Sequence, residues 1–259
     1  MNQTERFAFL IRALQEEMPE YRDARVPALP EQRWRMLRSL MNLREPMPAG
    51  EEFLRVQDEC LRQLTRDKGV VDAMSLPPCA RDPRLVLWQG DITTLSCDAI
   101  VNAANSALLG CFSPCHGCID NIIHTMSGVQ LRLACARIMR AQGHPEPTGR
   151  AKITPGFNLP ARYVLHTVGP IIEDEVTEED ERLLTSCYRS CLSLAAEKGL
   201  RSVAFCCIST GVFRFPARRA AEIAVDTVAA FLEEPTSVER VIFNVFKDSD
   251  LAIYQSLLG

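Results

Sequence analysis

From about Arg84 onward, short apolar runs alternate with longer stretches whose apolar residues recur every three or four positions. Residues 85–88, 99–102, 163–167, 203–208 and 241–245 read as strands, with 151–154 a further candidate. Residues 122–140, 178–198, 217–232 and 248–257 read as helices. Runs that are apolar throughout suit strands buried on both faces, and the helices between them are the crossovers that parallel strands require. The alternation therefore predicts an α/β sheet with helices on both faces.

Residues 1–83 have another texture. Phe7, Leu10, Ile11 and Leu14 share one helical stripe; so do Trp34, Leu37, Leu40 and Met41, and then Phe53, Val56, Cys60, Leu61 and Leu64. Prolines at 19, 27, 30, 46 and 48 punctuate the segments, which predicts three helices. Leu76-Pro77-Pro78-Cys79 reads as the linker, giving a helical extension at 1–83 and a layered domain at 84–259. The acidic run from Glu173 to Glu181 suits a solvated loop that opens a helix, where the dipole favours carboxylates.

Composition narrows the partners. With 29 Lys+Arg against 33 Asp+Glu, the net charge of -4 gives no basic field for a nucleic-acid backbone. No apolar run approaches the roughly 20 residues of a membrane span. The N-terminus carries acids and no apolar core, so it does not read as a signal peptide. Eleven cysteines in a chain expected to be cytoplasmic read as core fillers or metal ligands rather than disulfides. No large patterned apolar surface declares itself, so a monomer is expected.

Four motifs bear chemistry. Cys111, Cys115, His116 and Cys118 fall within eight residues. Thiolate and imidazole are zinc's preferred ligands, and three with an open fourth position is the catalytic arrangement. The spacing is not that of a zinc finger; Cys111, His116 and Cys118 are favoured, with Cys115 spare, against a cysteine-rich loop that holds no metal. Asp91, in Gly90-Asp91-Ile92-Thr93, follows a strand, where open α/β sheets bind ligands. It could accept from an exocyclic amine such as adenine's, or simply cap a turn. Asn102 and Asn105 could grip ribose hydroxyls through their carboxamides, or form turns. In the segment Ser209-Thr210-Gly211-Val212-Phe213-Arg214-Phe215-Pro216, backbone N–H groups beside a helix start could hold a phosphate. Phe213 and Phe215 would stack on a ring or fill the core, and Pro216 would take the first helical position. Asp120, two residues past the last favoured ligand, could orient or deprotonate a water. His124 and His166 read as core histidines.

In this order the motifs resemble the macrodomain family, three-layer α/β/α modules with a mixed central sheet that bind ADP-ribose. The resemblance runs over 84–259 and is most specific at TGRAKITPGFNLPARYVLHTVGP, residues 148–170. The loop GCFSPCHGCIDNIIH departs from the common GGGVDGAIH and is similar to the zinc-dependent branch, whose ligands correspond to Cys111, His116 and Cys118. Arg214 stands where many relatives carry glycine. The helical extension also resembles that branch.

The resemblance implies that Asp91, with the Ile92 backbone, holds adenine. It places Asn105, Cys118, Ile119, Asp120 and Asn121 around the distal ribose, and Ser209, Thr210, Gly211, Val212 and Phe213 around the pyrophosphate. Asp120 and Asn105 would be catalytic and Zn2+ the cofactor. The expected activity is release of mono-ADP-ribose from a modified protein side chain, acidic residues first. A non-catalytic ADP-ribose reader and an O-acetyl-ADP-ribose deacetylase are the alternatives.

Overall fold

The computed structural model describes residues 1–259. The extension forms α1 (Gln3–Glu17), α2 (Pro30–Leu43) and α3 (Glu51–Lys68), followed by a short strand, β1 (Val71–Asp72). Asn2 caps α1 with Glu5 completing the reciprocal bond, Pro30 opens α2, and Gly69 ends α3 at φ +88. The three predicted stripes meet: Leu10, Ile11 and Leu14 pack with Leu37, Leu40, Phe53, Val56 and Leu61. Each such side chain contributes about 1.5–3 kcal/mol on burial.

The layered domain runs β2 (Leu85–Gln89), β3 (Leu95–Ser96), β4 (Ala99–Ala103), α4 (Ile119–Ser127), α5 (Val129–Gln142), β5 (Ala151–Pro155), β6 (Tyr163–Thr167), α6 (Glu178–Glu197), β7 (Ser202–Phe205), α7 (Ala217–Leu232), β8 (Arg240–Val245) and α8 (Asp248–Leu258). The six-stranded sheet has the order β2-β8-β7-β4-β6-β5. All neighbours are parallel except β5, which runs antiparallel to β6. β7 is buried along its whole length and β4 over its first four residues, so helices cover both faces. The expected mixed three-layer sheet is what forms.

Three local expectations need correction. The single helix expected over 122–140 is two, because Gly128 breaks it at φ +97; a Cβ there would press on Gln130, Gln57 and Asn158. The strand expected over 203–208 ends at Phe205, since residues beyond it turn toward the loop that opens α7. Pro216 is the N-cap of α7 rather than its first residue. The acidic run behaves as expected: Thr177 and Asp180 form a capping box, and Glu178–Glu181 fill the first turn of α6.

The extension does not stand apart. β1 pairs with β3, Val129 of α5 belongs to the helical cluster, and Trp34 and Leu64 touch both clusters. No helix is long and apolar enough to cross a membrane. All eleven cysteines are free; Cys60, Cys97, Cys135, Cys187, Cys191 and Cys206 are buried.

Candidate active site

Parallel strands put their carboxyl ends on one edge, and the loops leaving β2, β4, β6, β7 and β8 gather there. That edge is where open α/β sheets take ligands. Three of the loops, those after β2, β4 and β7, carry the motifs singled out above.

The loop between β4 and α4 holds the cysteines. Cys111, His116 and Cys118 bring one ligand atom each to within 4.8 Å of one another, with Cys111 Sγ 3.7 Å from His116 Nδ1. A tetrahedral zinc with bonds of about 2.3 Å to sulfur and about 2.0–2.1 Å to nitrogen sets that edge near 3.6 Å. The donor set and spacing therefore fit zinc, and three ligands leave a tetrahedral ion one position for water or substrate. Cys115 turns away: its Sγ lies 3.2 Å from Ser39 Oγ and 3.3 Å from the Arg35 carbonyl. Burial, aided by the Cys111 sulfur, pushes the Cys118 thiol up to about 11.

Behind this loop lies a buried polar chain. Asn102 Nδ2 donates to Asp120 Oδ1 at 2.8 Å and to His166 Nδ1 at 3.2 Å. Since Nδ1 accepts, the ring proton sits on Nε2, which donates to Thr154 Oγ1 at 2.9 Å. Asn102 is fully buried, so it does not grip a ribose; its carboxamide locks Asp120. Asn105 is half-buried at the cleft, its Nδ2 donating to the Gly110 carbonyl at 3.1 Å and Asp120 Oδ2 at 3.3 Å. Burial raises the Asp120 carboxyl to about 6, against the Asn102 bond and Arg132. His124, Cys135 and His166 also cluster; both His166 nitrogens are spent, as expected of a satisfied core histidine, but His124 is buried with neither ring nitrogen hydrogen-bonded, its Nε2 3.5 Å from Asp120 Oδ1.

At the other end of the cleft Asp91 does what a turn-capping aspartate does. Its Oδ1 accepts from Thr93 N at 3.0 Å and Thr93 Oγ1 at 2.6 Å. Its Oδ2 lies 2.8 Å from Lys68 Nζ at the end of α3. Burial would raise this carboxyl, but the Lys68 and Thr93 bonds outweigh it and hold it low.

The loop before α7 is a turn of unusual backbone. Ser209 and Arg214 take φ +64 and +60, and Phe215 N donates back to Ser209 O at 3.0 Å. The N–H groups of Ser209, Gly211, Val212 and Phe213 make no bond within the protein, as an anion nest requires. Ser209 Oγ is buried and unpartnered. Phe213 is half-exposed at the loop, but Phe215 is in the core, so of the two only Phe213 can face a ligand.

The comparisons decide the family. The Macro domain family model matches residues 101–224. A protein-ADP-ribose hydrolase of Treponema medium is 54% identical and covers 100% of both chains. One of Staphylococcus aureus is 50% identical over 96% of this chain and 94% of its own. The chain belongs to the macrodomain family. Among solved macrodomains, that of Trypanosoma brucei in complex with ADP-ribose superposes with TM-score 0.66 at 34% identity, covering 86% of this chain and 95% of that one. A variant of the Oceanobacillus iheyensis macrodomain with ADPR gives 0.61 at 40% identity over 66% and 90%.

Sequence reading missed four residues at this macrodomain's cleft. Arg132, in α5, is buried under the cysteine–histidine loop. Its Nε donates to the Leu109 carbonyl at 2.6 Å, and its guanidinium lies 4.1 Å from the Phe112 ring centre. Burial lowers its pKa to about 10, against the pull of Asp120. Arg38 reaches the same loop from α2. Lys68 reaches Asp91. Phe246, 77% exposed, follows β8 directly beside the turn that carries Asp91. An exposed aromatic at a strand end was the one available signal; the three cations, on helices, had none.

Proposed function

We propose that this protein is a zinc-dependent hydrolase that removes single ADP-ribose units from modified protein side chains, acidic residues foremost, and releases ADP-ribose. One observation carries the reading: Cys111, His116 and Cys118 converge on a loop whose base is tied through Asn105 to Asp120. The relatives named protein-ADP-ribose hydrolase, at 50% and 54% identity over nearly full length, support the hydrolytic part.

The chain's own groups supply binding and proton handling. The unpartnered N–H groups of Ser209, Gly211, Val212 and Phe213 cradle the pyrophosphate, Asp91 and the Ile92 backbone take adenine, and Asn105, Cys118, Ile119 and Asp120 border the distal ribose. Asn121 contributes through its position in α4, since its carboxamide is engaged elsewhere. These contacts, remote from the scissile bond, fix the reacting carbon beside Asp120. Asp120 Oδ1 is held by the buried Asn102 and Oδ2 by the half-buried Asn105 at the cleft, so Oδ2 is the atom that orients the attacking water and accepts its proton. Zinc held by Cys111, His116 and Cys118 supplies Lewis acidity toward oxygen. The partners are a mono-ADP-ribosylated protein and ADP-ribose.

The test joins metal analysis of the purified protein to single-turnover release of ADP-ribose from a mono-ADP-ribosylated protein, with and without chelator. Zinc near one equivalent and chelator-sensitive release are expected. Binding without release would make the protein a reader. Preference for O-acetyl-ADP-ribose would move the substrate. Full turnover by metal-free Cys111→Ala protein would remove the zinc mechanism.

A further inference from the structure

Arg38 sits in the middle of α2, yet its guanidinium is spent on the metal loop. Nη2 donates to the His116 carbonyl at 2.7 Å and to Asn121 Oδ1 at 2.8 Å, and Nε reaches the same oxygen at 3.3 Å. Asn121 passes the restraint on: its Nδ2 donates to the carbonyls of Cys111 at 3.3 Å and Ser113 at 2.9 Å. One guanidinium–carboxamide pair therefore holds the main chain at two of the three candidate ligands.

The next turns of α2 grip the loop between them. Asn42 Oδ1 accepts from Cys115 N at 2.9 Å, and Ser39 and Arg35 hold the Cys115 sulfur. Cys115 has φ +54, a strained conformation for a non-glycine residue that persists only where the surroundings enforce it. From below, Arg132 Nη1 donates to the carbonyls of Asn42 at 2.8 Å and Arg44 at 2.5 Å, at the end of α2.

We infer that α2 is a clamp that shapes the metal loop, with Arg38 its principal positioning residue. The inference rests on the zinc reading above and adds a role for the extension. Fixing a residue's backbone costs conformational entropy. A loop pinned when the protein folds has met that cost before the ion arrives, so the ion leaves more slowly. Arg38 touches neither substrate nor metal; it acts through the carbonyls of His116 and, by way of Asn121, Cys111.

The test uses the full chain, loaded with zinc, as parent, Arg38→Met and Arg38→Lys. Zinc transfer to a chromogenic chelator, the visible spectrum of the cobalt-substituted protein, ADP affinity and melting temperature are measured. Arg38→Met should release zinc about 10- to 100-fold faster, the range for losing a group that orients a ligand. Its cobalt band should shift, while ADP affinity stays within twofold. Arg38→Lys, retaining a single donor, should fall between. A zinc-binding parent whose Arg38→Met variant releases the ion within twofold of its rate overturns the clamp alone. So does a variant that loses ADP affinity in step with zinc, because that is general loosening. A parent that takes up no zinc overturns the metal reading and the clamp together.

Discussion

Asn102 Nδ2 lies 2.8 Å from Asp120 Oδ1 and turns its second hydrogen to His166 Nδ1 at 3.2 Å. A carboxamide with no exposure thus sets the carboxylate that faces the cleft. Asn102→Ala leaves two buried acceptors unpaired, so it should cost about 1–3 kcal/mol of stability. kcat should fall at least tenfold with ADP-ribose affinity nearly unchanged. Asp120→Ala should lose about 10²–10⁴ in kcat. Single-turnover rates and calorimetric titration read both.

Metal content separates the cysteines. Cys111→Ala and Cys118→Ala should each lose bound zinc and activity together. Cys115→Ser should retain about one equivalent, because its sulfur faces Ser39 and Arg35 instead of His116. Elemental analysis of the three purified variants checks the assignment.

Acid should destabilise the fold through His166. Burial pushes this ring down to about 3, whereas an unfolded chain's imidazole titrates near 6.5. Between about pH 6.5 and pH 3 the unfolded state binds a proton that the folded state refuses. Stability therefore falls as pH drops, by up to about 1.4 kcal/mol per pH unit. Above that window the ring contributes no slope. Urea midpoints measured from pH 7 to pH 4 should decline, and less steeply in His166→Gln.

Gly169 lies against the loop before α7, where an added methyl would overlap Ser209 and Ile208. Gly169→Ala should displace Ser209, cost about 1–3 kcal/mol and weaken ADP binding more than tenfold. Melting temperature and calorimetry distinguish local displacement from unfolding.

Phe246 is exposed and packs on nothing that stabilises the fold. Phe246→Ala should change stability by less than about 0.5 kcal/mol. Its place beside the Asp91 turn suits a ring that stacks on the bound adenine, so losing an aromatic contact worth about 0.5–1.5 kcal/mol should weaken ADP-ribose binding about 2- to 13-fold. Unchanged affinity would show that Phe246 does not touch the base.

The sheet was legible because both-face burial leaves apolar runs, and β6 appears at the residues expected for it. The split between α4 and α5 was not, since one glycine inside an apolar periodicity carries little signal until its backbone twist is seen. The loop from Cys111 to Cys118 stood out through ligand chemistry at short spacing. What orients it did not: Arg38 and Arg132 look like any surface arginine on an amphipathic helix, and apart from the Asn121 carboxamide their targets are main-chain carbonyls, which have no sequence identity. Asn102 and Asn105 looked equivalent in the motif. Strand alternation and a three-residue offset send one into the core and the other to the cleft.

The distribution of thiols has a chemical consequence. Six cysteines are sealed in the interior, and of the five that solvent reaches, three lie in the single stretch from Cys111 to Cys118. Peroxide or an alkylating reagent meets accessible sulfur first. Damage to this protein therefore begins at that loop, and a cation bound by Cys111, His116 and Cys118 would double as its chemical shield.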